Sequence, residues 1–156
     1  MKDEYCKEHN ILLIRIPYEK RDIITLQDLG LEVWVMIKKY FITGDTHGGF
    51  NTITRVSNII RNNPELKPEE IGIIILGDCG LNFYLNKTDK KHKKMLNSMG
   101  VKIYCVRGNH EQRPELIETM HLENDFQVGN MTWMEEEFPN IRYFADGGNY
   151  VIDGHP

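Results

Sequence analysis

From Tyr40 onward the chain alternates between continuous apolar runs and apolar residues at helical spacing. Runs at residues 40–43, 71–76 and 101–106 predict strands, and the β-branched IGIIIL is typical of a strand buried on both faces. A helix is predicted after the first run by the spacing of Phe50, Ile53, Val56, Ile59 and Ile60. The lysine-rich segment before the third run also has a helical pattern. This order predicts an α/β fold with a largely parallel sheet flanked by helices.

Three weaker patterns predict further elements. The apolar run 11–16, which Pro17 ends, predicts a short strand near the N-terminus. Pro114 is a good first-turn residue and predicts a helix that continues through Met120. The stretch IRYFADGGNYVID predicts two strands joined by a Gly-Gly turn.

The regular alternation begins only after Met36, and this position suggests a domain boundary. We therefore expect residues 36–156 to form the main domain. Residues 1–35 are expected to be an appendage that is at most a remnant of another domain. A chain of 156 residues is long enough for one ordinary hydrophobic core.

Composition narrows the function classes. The formal net charge of -4 gives no global attraction to nucleic acid or anionic membrane. No apolar stretch has the length of a membrane-spanning helix, and charged residues occupy the N-terminus where a secretory signal would be apolar. The three cysteines, Cys6, Cys79 and Cys105, lie far apart in the sequence and predict reduced thiols in a cytoplasmic compartment.

Each predicted strand from the parallel sheet ends in a cluster of polar residues and glycine. The clusters are GDTHG with Asp45 and His47, GDCG with Asp78, and RGNHE with Asn109 and His110. The carboxyl ends of parallel strands meet at one edge of a sheet, so we expect these clusters to converge there. Carboxylate, imidazole and amide donors suit Mn, Fe, Zn or a similar divalent ion. The alternative is a set of ordinary turn residues, since Asp and Asn favour loops.

Taken together in this order, the three clusters resemble the motifs of the calcineurin-like metallophosphoesterases. The resemblance covers residues 36–156 and implies the first half of an αββα sandwich that hydrolyses phosphate esters with two divalent metal ions. It implies that Asp45 and His47 bind the first ion, that Asp78 bridges both, and that Asn109 binds the second. It also implies that His110 protonates or stabilises the leaving group, and that Arg107 contacts phosphate.

The chain also departs from the family pattern. Gly80-Leu81-Asn82 stands where the phosphoprotein-phosphatase branch has Asp-Arg-Gly, so a serine/threonine phosphatase assignment is unsupported. The later histidine ligands of the family are not matched, since only His121 and His155 follow His110. We therefore expect a domain truncated on its C-terminal side, with an incomplete second metal site. We also expect an apolar sheet face that a partner chain would have to cover.

Two further interpretations remain open. The chain could be a non-catalytic fragment that binds one metal ion or only scaffolds a partner. It could also be a nucleic-acid-processing module, if the lysine-rich segment 89–95 acts together with the N-terminal residues. Residues 3–20 resemble the closing segment of restriction-endonuclease-like domains, although the catalytic part of such a domain has no counterpart in this chain.

Overall fold

The computed structural model describes residues 36–152 and 154–155, which lie within one compact unit, Met36–Pro156. The strand predicted at 11–16 and the endonuclease-like resemblance at 3–20 lie outside the described residues. In the part of the chain that is described, no helix is long and apolar enough to cross a membrane.

The described residues form six strands and two α-helices, with the bounds β1 Lys39–Gly44, α1 Asn51–Arg61, β2 Ile71–Leu76, α2 Lys87–Asn97, β3 Lys102–Val106, β4 Met120–Asp125, β5 Asn130–Glu135 and β6 Ile141–Phe144. The strands form one sheet in the order β1-β2-β3-β6-β5-β4. Four neighbouring strands, β1, β2, β3 and β6, are parallel, and β5 and β4 continue the sheet in antiparallel pairing. The two helices connect the first three strands.

The α/β prediction is confirmed, and so are both helices and the three parallel strands. Helix α1 buries Ile53 and Val56 against the sheet, as its apolar spacing predicts. Helix α2 begins after Asn86, whose side chain accepts a hydrogen bond from the Thr88 N–H at 2.8 Å. In β2 every residue except Leu76 is buried, which agrees with a strand covered on both faces.

The main core lies between the helices and one face of the sheet. Alternate residues of each strand point to that face, so Ile73 and Ile75 of β2 join Ile103 and Cys105 of β3 in one cluster. Residues between them point to the other face, where Ile74 and Tyr104 belong to a smaller cluster. Toward the carboxyl ends of the strands this second face is open, and the apolar residues Ile42, Leu76 and Val106 are exposed there.

Two sequence predictions for the C-terminal part are wrong. The helix predicted from Pro114 to Met120 is a 3-10 turn, Pro114–Leu116, after which the chain enters β4. The predicted Gly-Gly hairpin forms only its first strand, β6. Because β3 and β5 occupy both edges of β6, no edge remains for the following residues. Those residues turn back instead, and the Val151 N–H donates to the Val128 carbonyl at 3.0 Å.

Candidate metal centre

The loops after β1 and β2 hold two of the predicted ligands in unusual backbone conformations. His47 has φ +45° and Asp78 has φ +39°, both in the left-handed region that non-glycine residues seldom adopt. Such conformations cost free energy and persist where the surrounding structure fixes them. Here the fixation is visible in the hydrogen bonds that join the two loops.

A short ladder of backbone hydrogen bonds connects the first loop to the second. The His47 N–H donates to the Asp78 carbonyl at 2.8 Å, and the Gly48 N–H donates to the Cys79 carbonyl at 3.0 Å. The Thr46 hydroxyl donates to the same Cys79 carbonyl at 2.9 Å. These bonds extend the pairing of β1 with β2 beyond the strands and bring the side chains of both loops together.

Three metal-competent side chains meet at this point. Ligand atoms of Asp45, His47 and Asp78 all lie within 4.8 Å of one another. Asp45 and His47 are exposed, whereas Asp78 is only 7% exposed. The His47 Nε2 lies 3.6 Å from the Asp45 Oδ2, so the two exposed donors are already adjacent. The convergence expected for these three residues is therefore present in the structure.

The loop after β3 packs directly against Asp78. The His110 N–H donates to the Asp78 Oδ1 at 2.9 Å, which orients this carboxylate. Gly108 lies so close that a Cβ on it would stand 1.9 Å from the same oxygen. A side chain at position 108 would therefore displace Asp78, which explains the glycine in this motif.

The Glu111 side chain links the loop after β2 to the loop after β3. Its Oε1 accepts hydrogen bonds from the Gly80 N–H at 2.9 Å and from the Tyr143 hydroxyl at 3.1 Å, and its Oε2 accepts one from the Gly108 N–H at 3.1 Å. Burial raises the pKa of Tyr143 well above its ordinary value, so the phenol keeps the proton that it donates. With both oxygens engaged, Glu111 acts as a structural carboxylate.

The other predicted site residues are placed differently. His110 is exposed, and its ring centroid lies 5.5 Å from that of His47. Asn109 is exposed in the same loop, beside His110. Arg107 is turned toward Asp146, whose Oδ2 accepts from Nη2 at 3.0 Å and from Nε at 3.3 Å. His155 is exposed and forms an isolated bridge with Ile152, outside the group of three donors.

A cavity of about 280 Å³ opens beside this centre, and sequence reasoning missed half of its wall. His47, Asp78 and His110 line it on the side of the metal-type residues. The rest of the wall comes from the loop before α2 and from the first turns of that helix, through Phe83, Tyr84, Thr88, Asp89 and His92. The only signal in the sequence was two adjacent aromatic residues in a loop close after the second motif.

A mixed α/β domain with carboxylate and imidazole donors at its parallel strand ends belongs to the class of α/β domains with a candidate metal centre at the sheet edge. The profile of the calcineurin-like phosphoesterases matches residues 38–156, and the chain belongs to this family. Neither a curated protein nor a solved structure gives a significant match to the chain. The family consists of metal-dependent phosphoesterases, so hydrolase chemistry on phosphate esters and divalent metal ions are implied.

The residues present fit one such ion well. Two carboxylates and an imidazole form the oxygen and nitrogen donor set that Mn, Fe or Zn accepts. Asp78 is buried and oriented by the His110 N–H, as a ligand held in place should be. Within the described residues, these three form the one group of His, Cys, Asp or Glu close enough together to hold a metal ion.

Proposed function

We propose that this chain hydrolyses phosphomonoesters or phosphodiesters at a metal centre held by Asp45, His47 and Asp78, with Asn109 as a ligand of the second ion. The observation that carries the proposal is the convergence of the first three side chains within 4.8 Å at one sheet edge. Membership in a metal-dependent phosphoesterase family supports the same chemistry.

The chain's own residues would divide the work in a simple way. Divalent ions held by Asp45, His47, Asp78 and Asn109 would supply positive charge that stabilises the phosphoryl group and activates water. His110 lines the cavity next to His47 and is suited to give a proton to the departing alkoxide. Arg107 would bind a phosphate oxygen after exchanging its contact with Asp146, since both contacts use the same guanidinium donors.

The test is hydrolysis of 4-nitrophenyl phosphate and bis(4-nitrophenyl) phosphate with and without added Mn²⁺. Asp78→Asn keeps the shape of the side chain but removes its charge, and we expect a loss of turnover of at least about a hundredfold. Glu65→Gln makes the same chemical change at an exposed position in the loop after α1 and should leave turnover unaltered. Equal rates for the Asp78 variant and the unaltered chain would refute the proposal.

A non-catalytic role in metal binding is the second candidate. It is favoured by the single group of three donors within the described residues, because the second ion would rely on Asp78 and Asn109. Calorimetric titration with Mn²⁺ distinguishes the two functions. Binding that Asp78→Asn abolishes, with no turnover of either ester, would select this candidate.

The nucleic-acid interpretation stays a prediction that the structure makes less attractive. Three lysines of α2 pair with carboxylates of the same chain: Lys90 lies 2.7 Å from a Glu137 oxygen, Lys94 lies 3.7 Å from the other, and Lys93 pairs with Glu135. These charges are therefore partly neutralised. This function would be supported if the chain binds single-stranded DNA and its affinity falls steeply as the salt concentration rises from about 50 to about 200 mM.

Three remaining predictions are also part of this proposal. Residues 36–156 would form the folded domain with residues 1–35 as an appendage, which limited proteolysis tests directly. A partner chain would cover Ile42, Leu76 and Val106, which light scattering on the purified chain tests. A cytoplasmic location is tested by cell fractionation.

A further inference from the structure

Part of the wall of the cavity beside the metal centre has no role in the proposed metal chemistry. Its first part is aromatic. Phe83 is 48% exposed and Tyr84 is 65% exposed, and their rings pack edge to face with centroids 4.5 Å apart. The Phe83 ring also lies 6.2 Å from that of His110. Two adjacent exposed aromatic side chains therefore stand on the side of the cavity that adjoins His110.

The second part of this wall is polar and buried. Asp89 is only 2% exposed, and its Oδ2 accepts hydrogen bonds from the Tyr84 N–H at 2.9 Å and the Leu85 N–H at 2.6 Å. Its Oδ1 is also buried, and none of the described residues donates a hydrogen bond to it. The His92 Nδ1 is buried too and has no hydrogen-bond partner within the described part of the chain, while the His92 ring packs on Phe50 with centroids 5.2 Å apart.

A purely structural role accounts for only one of the two carboxylate oxygens of Asp89. As the third residue of α2, it fixes the loop 84–85 through Oδ2, which is an ordinary use of a carboxylate at a helix start. That role leaves the second oxygen unused, and buried polar atoms in native proteins are rarely left without a partner. Because Asp89 and His92 both line the cavity, a molecule bound there can supply the missing hydrogen-bond donor.

We propose that this wall is the subsite for the alcohol part of the phosphate ester, and that it selects a planar ring carrying an N–H or O–H donor. The inference rests on the proposed function, which puts the phosphoryl group beside Asp78 and the departing oxygen beside His110. The ring then lies against Phe83 and Tyr84, and its donor faces Asp89 and His92. A cavity of about 280 Å³ suits one six-membered ring.

Three esters with the same CH2–O–phosphate link test the two halves of the subsite: cyclohexylmethyl, benzyl and 3-aminobenzyl phosphate. Their alcohols differ little as leaving groups, so the full chain with Mn²⁺ reports recognition through kcat/KM. We expect benzyl phosphate to exceed cyclohexylmethyl phosphate several-fold because aromatic faces attract each other. The amino group should add about a tenfold gain, since it pairs buried polar atoms. Equal values for all three esters overturn the proposal.

Two variants assign the preferences to residues. Asp89→Asn keeps one oxygen for the N–H groups of the loop but puts an NH2 donor where the free oxygen stood, so the preference for 3-aminobenzyl over benzyl phosphate should disappear. Phe83→Ala should remove the preference for benzyl over cyclohexylmethyl phosphate. Lys91→Ala, at an exposed position of α2, is the control. Because each readout is a ratio, partial unfolding of a variant does not change it.

Binding of the free alcohols separates this inference from the proposed function. Saturation-transfer NMR with 3-aminobenzyl alcohol and benzyl alcohol needs neither metal nor turnover. If no ester is hydrolysed but 3-aminobenzyl alcohol binds more tightly than benzyl alcohol in the unaltered chain and not in Asp89→Asn, the subsite stands and the proposed hydrolysis fails. If esters are hydrolysed without either preference, hydrolysis stands and the subsite fails.

Discussion

The sheet consists of two halves with different demands on the chain. In the parallel half, β1 to β3, each strand runs into a tight loop that carries metal-type side chains, and the loops fix one another through backbone bonds. In the other half, β4 to β6, the strands pair antiparallel with one another. The edge strand β4 buries only Met120 and Asp125, whereas β6 buries three of its four residues. The comparison teaches that close packing of loops, rather than the sheet itself, distinguishes the half that holds the site.

The largest difference between the halves should appear at their glycines. Gly108→Ala would put a Cβ 1.9 Å from the Asp78 Oδ1, so Asp78 must move out of the donor group. We expect the Mn²⁺ affinity to fall about ten- to a hundredfold. A loss of this size is typical when a metal ligand loses the groups that orient it. Calorimetric titration measures this affinity.

Gly129→Ala in the turn between β4 and β5 is the matched control for Gly108→Ala. Its Cβ would meet Val151 at an ordinary 3.9 Å, and the left-handed φ of +67° costs about 1 kcal/mol of stability. Metal affinity should therefore remain unchanged. A loss of affinity in this variant as large as that in Gly108→Ala would show that the two halves are not distinct.

A second difference concerns two single strands, since β2 lies in the main core and β4 lies at the edge of the sheet. Ile73 of β2 is 1% exposed in the main core, and Ile73→Ala should lower the free energy of unfolding by about 3 kcal/mol because it leaves a cavity. Leu122 of β4 is 43% exposed, and Leu122→Ala should cost less than about 1 kcal/mol. Urea denaturation followed by circular dichroism compares the two variants. Equal losses would remove the contrast.

The smallest effect concerns Tyr143 on β6, which joins the halves. Because its pKa is raised on folding, the folded state retains a proton that the unfolded chain loses near pH 10. Stability is therefore unaffected below that pH and falls above it, by up to about 1.4 kcal/mol per pH unit for this group.

Tyr143→Phe tests this dependence. At pH 7 the variant should be less stable by about 1 kcal/mol, because the hydrogen bond to Glu111 is lost. Above pH 10 the difference should narrow, since the variant has no proton to lose at this position. Tyr84→Phe, which removes an exposed hydroxyl, should keep the same dependence as the unaltered chain. Thermal unfolding between pH 7 and 11 gives both results, and a constant difference for Tyr143→Phe would contradict the argument.

Much of the parallel half could be predicted because its signals are local. The β-branched run of β2, the spacing of α1 and the three motifs each lie within a few residues. The antiparallel half could not be predicted in this way. The β4 sequence MHLEND has no continuous apolar run, and the failure of the second strand after β6 depends on which edges β3 and β5 already occupy. The cavity wall at Phe83, Asp89 and His92 likewise depends on how a loop meets a helix.

Within the site, the convergence of Asp45, His47 and Asp78 could be predicted because the carboxyl ends of neighbouring parallel strands meet at one edge of the sheet. Their role as metal ligands stays a prediction. The role of Asn109 and the phosphate contact of Arg107 stay predictions. Asp146 was not foreseen as the partner of Arg107, since it lies 39 positions later in a loop whose course the sequence pattern did not define.

The position of β6 between β3 and β5 also sets the order in which parts of the site can form during synthesis. During synthesis from the N-terminus, every proposed metal ligand and His110 emerge before the residue that secures them, since Tyr143 follows Glu111 by 32 positions. The pairing of β3 with β6 must wait for that segment and close a long loop, which is a slow step in folding. A nascent chain that ends before β6 would therefore carry the metal-type residues without the hydrogen bond from Tyr143 to Glu111 that helps to hold their loops together.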